Sequence, residues 1–168
     1  MGALFRIIWQ IALLRQGPQA LPASSALLWL ALGSHWLIGV LLGLGTLPLE
    51  MAMLSALVGT LLMVALVHGL LLLHRRHSRA PQTLTALAAC EILLGLFAIP
   101  VGVWFNMGGG LQDIAVLLSL ALFGWNIAIA AHILRHALEV SPGMGFLFAV
   151  GYTLVAISLG GLFLPPAA

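Results

Sequence analysis

The sequence predicts an all-α fold, a bundle of five transmembrane helices preceded by a short N-terminal interfacial helix. Three observations carry that prediction. The 168 residues are 62% hydrophobic and 6% charged, with a mean hydropathy of +1.19, a balance that a water-soluble domain sustains only by exposing large apolar patches. The apolar residues fall into five runs of about 20 or more, the length a helix needs to cross a hydrocarbon core. The breaks between runs are Pro, Gly and charge clusters.

The first element is too short to span. Residues 3–16 carry Trp9 among Phe5, Ile7, Ile8 and Ile11, with Arg6 and Gln10 one turn apart, a pattern that predicts a helix lying at the membrane interface. A secretory signal is not indicated, because the apolar core is cut by Gln10, closed by Arg15 and followed by no clear small-residue cleavage site. The organisation is therefore residues 1–22 as interfacial helix and linker, then 23–168 as the transmembrane domain. The spans fall at about 24–46, 50–74, 82–105, 111–134 and 143–164.

Entry signals place these cuts. Ser141-Pro142 supplies an N-cap followed by Pro at the first helical position, and Pro48 and Pro81 stand at the start of the second and third spans. Pro100 lies inside the third, where a kink is expected. The connections are short, so sequential helices should run antiparallel in one bundle. Arg6 and Arg15 precede the first span, Arg75, Arg76 and Arg79 join the second to the third, and Arg135 ends the fourth, all at one side, with Glu50 and Asp113 at the other. The positive-inside rule then predicts a cytoplasmic N-terminus and a C-terminal Pro165-Pro166 tail on the far side. Arg75, Arg76, Arg79 and Arg135 are the residues expected to set topology and to meet lipid headgroups.

Several function classes find no residues to carry them. There is no Lys, no basic run interleaved with aromatics and no phosphate-cradling loop, so the pI of about 9.5 reflects topology and no nucleic-acid partner is expected. Cys90 is the only cysteine, which excludes an intrachain disulfide and a thiolate metal site. No HExxH motif occurs, and Asp113 lies on the wrong side from most of the histidines for a Ser-His-Asp triad. No catalytic residue, metal or cofactor is predicted, and the chain is expected not to be an enzyme.

The polar residues at membrane depth are the candidate site. Counting about 1.5 Å per residue from the arginine-bearing ends puts His35, Glu91 and Asn126 all roughly 12–18 Å deep. Ionisable groups at that depth face the bundle interior or a wet cavity. One reading is an ordinary interhelical hydrogen bond from a protonated Glu91 to His35 or Asn126. The other is a proton-binding pair, in which desolvation makes Glu91 and His35 compete for one proton and couples protonation to conformation. His68 and His132 are shallower secondary ligand candidates, and two imidazoles from facing helices suggest haem as a lesser alternative. The stretches VHGLLLLHRRHSRAP and AHILRHALEVSP leave the membrane alike, hinting at a repeated two-helix unit. Trp29 and Trp104 suit interface anchors, whereas Trp36 and Trp125 are expected to pack between helices. Gly39-xxx-Gly43 and Ala156-xxx-Gly160 mark close helix contacts, within this chain or with another.

Two stretches, LFGWNIAIAAHILRHALEVSPGMGFLFAVGYTLVAI and QTLTALAACEILLGLFAIP, resemble the fourth-to-fifth and third spans of the bacterial Yip family of Ypt/Rab-interacting membrane proteins. Trp125, Leu134-Arg135, Leu138 and Ser141 are the anchors of the match, and the likeness covers about residues 24–164. The resemblance implies five spans, a location in the bacterial inner membrane, and a role in membrane organisation. The motif that eukaryotic members carry before the first span is reduced here to Gly17-Pro18, so no small-GTPase partner is implied. The expected function is thus a non-enzymatic membrane protein, acting in membrane organisation or as an accessory subunit, with the lipid bilayer and other transmembrane proteins or its own copies as partners. The alternatives are a small proton- or solute-conducting protein using His35, Glu91 and Asn126, and a haem-binding subunit.

Overall fold

The computed structural model describes residues 2–107 and 110–162, with the side-chain surroundings of 111 and 160–162 excepted. Six α-helices make up the described chain: α1 Gly2–Ala12, α2 Ser25–Gly43, α3 Leu49–Leu73, α4 Ala80–Met107, α5 Gly110–Leu138 and α6 Pro142–Leu162. The last five are long and apolar enough to cross a membrane. Their apolar residues surround each helix instead of forming one stripe, as expected where lipid is the solvent. Trp29, Leu73, Leu117 and Leu147 are each more than half exposed.

The predicted starts hold, through the entry signals at Pro48 and Ser141-Pro142 and through a cap at Ser24 that only the structure revealed. Ser24 accepts a hydrogen bond from the Leu27 N–H at 3.3 Å, Pro48 caps α3, and Pro142 opens α6 with Ser141 Oγ accepting from the Met144 N–H at 3.4 Å. The ends differ. The fourth span runs four residues beyond the expected exit at Leu134 and stops at Leu138. The third continues through Pro100 to Met107, with only the Leu96 carbonyl deprived of its donor.

Helices α1, α3 and α5 all close on a left-handed residue that is not glycine: Leu14 (φ 61°), Arg75 (φ 57°) and Glu139 (φ 58°). Each lets the next N–H reach back over the last turn, Arg15 to Gln10 O at 2.9 Å, Arg76 to Leu71 O at 2.7 Å and Val140 to Arg135 O at 3.1 Å. This is the capping geometry that glycine usually supplies, adopted here at a steric cost.

Helix α4 is the axis of the bundle. It packs against α2 on one side and α5 on the other; α3 lies beside α2, α6 beside α5, and α3 and α6 meet. The densest packing is at the arginine-bearing end, where Ala86, Leu87 and Ala88 of α4, Val67 and Leu71 of α3 and Ile133 and Leu134 of α5 are essentially inaccessible. Gly39 and Gly43 of α2 face α3, where an added Cβ would lie 3.0 Å from the Ala56 and Ala52 methyls. The first small-residue step is thus a contact within the chain. Ala156 is half-buried on α6, and the surroundings of Gly160 lie outside the described residues.

Helix α1 is part of this core. Ile11 and Ala12 are buried against α4 and α5 while Phe5 and Trp9 stack outward with ring centroids 6.3 Å apart. One face of the amphipathic pattern therefore docks on the bundle and the other is left for the membrane. Trp125 packs between helices as expected, but the second helix is α1. It is about half exposed, and its indole N–H donates to the Ala12 carbonyl at 2.9 Å, so it ties α5 to α1 instead of filling the space between two spans.

Candidate functional site

His35 stands eleven residues into α2 and Glu91 twelve residues into α4, and because these two helices run in the same direction the residues arrive at the same level. His35 Nε2 lies 2.7 Å from Glu91 Oε2. On its other edge His35 Nδ1 is 2.9 Å from the Thr60 hydroxyl of α3. Thr60 donates its own proton to the Ala56 carbonyl at 2.9 Å, which leaves its oxygen as an acceptor and puts the hydrogen of the His35 contact on Nδ1.

That tautomer constrains the pair. With Nδ1 protonated, Nε2 either carries a proton toward a Glu91 carboxylate or accepts one from a Glu91 carboxylic acid. Both arrangements hold one shared proton and are neutral overall. A charged remainder is the costly state at membrane depth. Tyr152 of α6 lies near the same carboxyl group, so Glu91 is bonded from α2 and approached from α6 while it is carried by α4. Both members are shielded but reachable, with side chains 17% and 20% exposed.

They are reachable through a cavity. About 360 Å³ opens between α2, α4 and α5, with His35, Glu91 and Asn126 at one end and Leu42, Ala98 and Ser119 toward the other. It exists because α2 and α5 both pack on α4 and not on each other. Asn126 shares this cavity but makes no hydrogen bond to His35 or Glu91, and its amide is unpartnered among the described residues. Ser119 donates to Ala115 O at 2.8 Å and so presents an acceptor. Of the three residues expected to cluster, two are bonded and the third faces them across the space.

The secondary histidines are not brought together. His68 is exposed on α3, while His132 is buried on α5, donates from Nε2 to the Gln16 carbonyl at 3.0 Å and rests edge-on to His136 with centroids 4.6 Å apart. His132 thereby holds the linker after α1. Among the described residues no group of three His, Cys, Asp or Glu side chains lies close enough to hold a metal ion.

At the arginine-bearing end the four cations divide. Arg76 and Arg79 both pair with Glu139, and Arg79 also donates to the His136 and Ala137 carbonyls at 3.2 and 3.1 Å, capping the end of α5. The hydrogen bond from Arg79, with the charges of both guanidiniums, holds the exposed Glu139 carboxyl below its ordinary value. Arg75 stays exposed, and Arg135 lies half-buried beside His136.

Sequence reasoning missed Thr60, Tyr152 and Glu139. A hydroxyl in an apolar span is too common to single out Thr60 or Tyr152, but Glu139, a carboxylate one turn from Arg135 at the cationic end, was a visible signal. No family model, curated protein or solved structure matches the chain.

Proposed function

We propose that this chain is a non-enzymatic protein of a bacterial inner membrane whose working part is the His35–Glu91 pair, a proton-binding site through which a proton or small polar solute is moved. The observation that carries the reading is the 2.7 Å contact between the two side chains at the end of a membrane-depth cavity. An interhelical bond made only for packing needs no open space beside it. Here the shared proton faces a cavity that also presents the Asn126 amide and the Ser119 oxygen. The arginines clustered at one end support a cytoplasmic N-terminus, and the five-span layout is compatible with the proposed kinship to the Yip family.

The test is flux in reconstituted vesicles carrying a trapped pH-sensitive dye, with infrared difference spectra of the same samples. Wild-type protein is expected to dissipate an imposed pH gradient and to show a pH-dependent carboxyl band that Glu91→Gln removes. A folded Glu91→Gln protein with wild-type flux would end the proposal.

One observation favours a second reading, an accessory subunit held by other membrane helices or by its own copies. An added Cβ at Gly59, Gly102, Gly124 or Gly151 meets nothing within 4 Å, so these outward positions admit close approach by a foreign helix. Crosslinking in mild detergent that yields only monomer, with no co-purifying protein, would remove it.

A further inference from the structure

The polar cavity does not stand alone. A second, wholly apolar slot of about 240 Å³ runs between α1, α4 and α5, lined by Trp9, Leu13, Leu93, Phe97 and Trp125. Leu94 and Leu122 border both spaces, so the two adjoin across a pair of flexible aliphatic side chains. The mouth is open to the side, with Phe97, Phe123 and Trp125 each about half exposed. A polar recess and an apolar slot meeting at membrane depth have the shape of one kind of occupant.

We propose that this groove binds a single-chain amphiphile from the surrounding lipid, its uncharged hydrogen-bonding head against Asn126 and the His35–Glu91 pair and its chain in the slot beneath Trp9. The chemistry of the lining selects the head. Among the described residues the only ionisable groups lining the cavity are His35 and Glu91, which as a pair are neutral overall, so a permanently charged head would enter without a counter-charge, an expensive state at this depth. A hydroxyl head fits, because it donates to the Ser119 or Glu91 oxygen and accepts from the free Asn126 amide. The slot selects the chain, since its walls present no polar surface. The combined space is in the range of small-molecule sites, and a two-chain phospholipid would have to leave one chain outside.

The proposal rests on the reading of the cavity as the working site and names what enters it. Its experiment does not depend on proton movement. The protein, with Trp29, Trp36 and Trp104 replaced by Phe so that Trp9 and Trp125 report, is reconstituted with increasing dibromo-monoacylglycerol or with dibromo-phosphatidylcholine. Contact with bromine quenches tryptophan fluorescence. The monoacylglycerol is expected to quench along a saturating curve and the phospholipid in simple proportion to its amount. Asn126→Leu should weaken the monoacylglycerol about tenfold, the loss of a hydrogen bond or two made in hydrocarbon. Proportional and equal quenching by both lipids overturns the proposal, as does an Asn126→Leu protein with wild-type saturation. If binding saturates while Glu91→Gln leaves vesicle flux unchanged, the flux reading fails and the site stands; if flux responds and quenching stays proportional, only the amphiphile is lost.

Discussion

Replacing both members of the His35–Glu91 pair should cost less than the sum of the two single replacements. In Glu91→Leu the His35 Nε2 loses its 2.7 Å partner and the Tyr152 hydroxyl loses the carboxyl it faces. An interhelical polar bond in a membrane contributes about 1–2 kcal/mol, and an orphaned buried polar group adds about 1–3, so this variant should lose about 2–5 kcal/mol. His35→Leu orphans less. Thr60 keeps its bond to Ala56 O and Glu91 still has the Tyr152 hydroxyl nearby, which points to a loss of about 1–3 kcal/mol. The double variant puts two aliphatic side chains where two polar ones met, and it leaves only Tyr152 without its neighbour. The pair should therefore couple by about 1–2 kcal/mol. The assay is reversible unfolding in mixed micelles by added SDS, followed by tryptophan fluorescence, for wild type, both single variants and the double. Losses that add to within about 0.5 kcal/mol would refute the argument, because independent sites behave that way.

Three further outcomes follow from particular contacts. Gly145→Ala places a methyl 2.8 Å from the Ala131 carbonyl and 2.6 Å from the Arg135 Cβ, so α5 and α6 must part at a cost of about 1–3 kcal/mol, whereas Gly124→Ala, with open space around it, should stay within about 0.5 kcal/mol of wild type in the same SDS assay. Arg75→Gly relieves a left-handed residue at an exposed helix end and should stabilise by about 0.5–1 kcal/mol, read as a shift of the unfolding midpoint to higher SDS. Arg79 and Arg76 hold the Glu139 carboxyl below its ordinary value near 4.5, so its contribution is complete above that pH and is lost as pH falls through the lower folded value; thermal melts against pH should show this acid slope in wild type and not in Glu139→Gln.

How far the candidate site could be read depended on the geometry each part requires. His35 and Glu91 were found because an ionisable residue in an apolar run is conspicuous, and because depth in a helix is linear in residue number. Asn126 was placed at the right level by the same counting. Whether it bonded to the pair depended on how α5 is rotated about its axis, which no count along one helix supplies. For Trp125 the packing between helices was legible but its partner was not: the face it occupies meets α1, a neighbour distant in sequence.

The sequence by itself determined the solvent, the number of spans and their beginnings. Those follow from the length of apolar runs and from the local chemistry of Pro48 and Ser141-Pro142, each of which acts within one helical turn. Only the tertiary structure decided that Gly39 and Gly43 are filled by α3, that Glu139 gathers Arg76 and Arg79, and that α2 and α5 stand apart over α4 to open a cavity beside one shared proton. Lipid is as apolar as the helix surfaces it touches, so hydrophobicity assigns no partner to any face. The choice among faces is left to close packing of small residues and to the few polar groups that must find one another, and both are properties of surfaces brought together from distant parts of the chain.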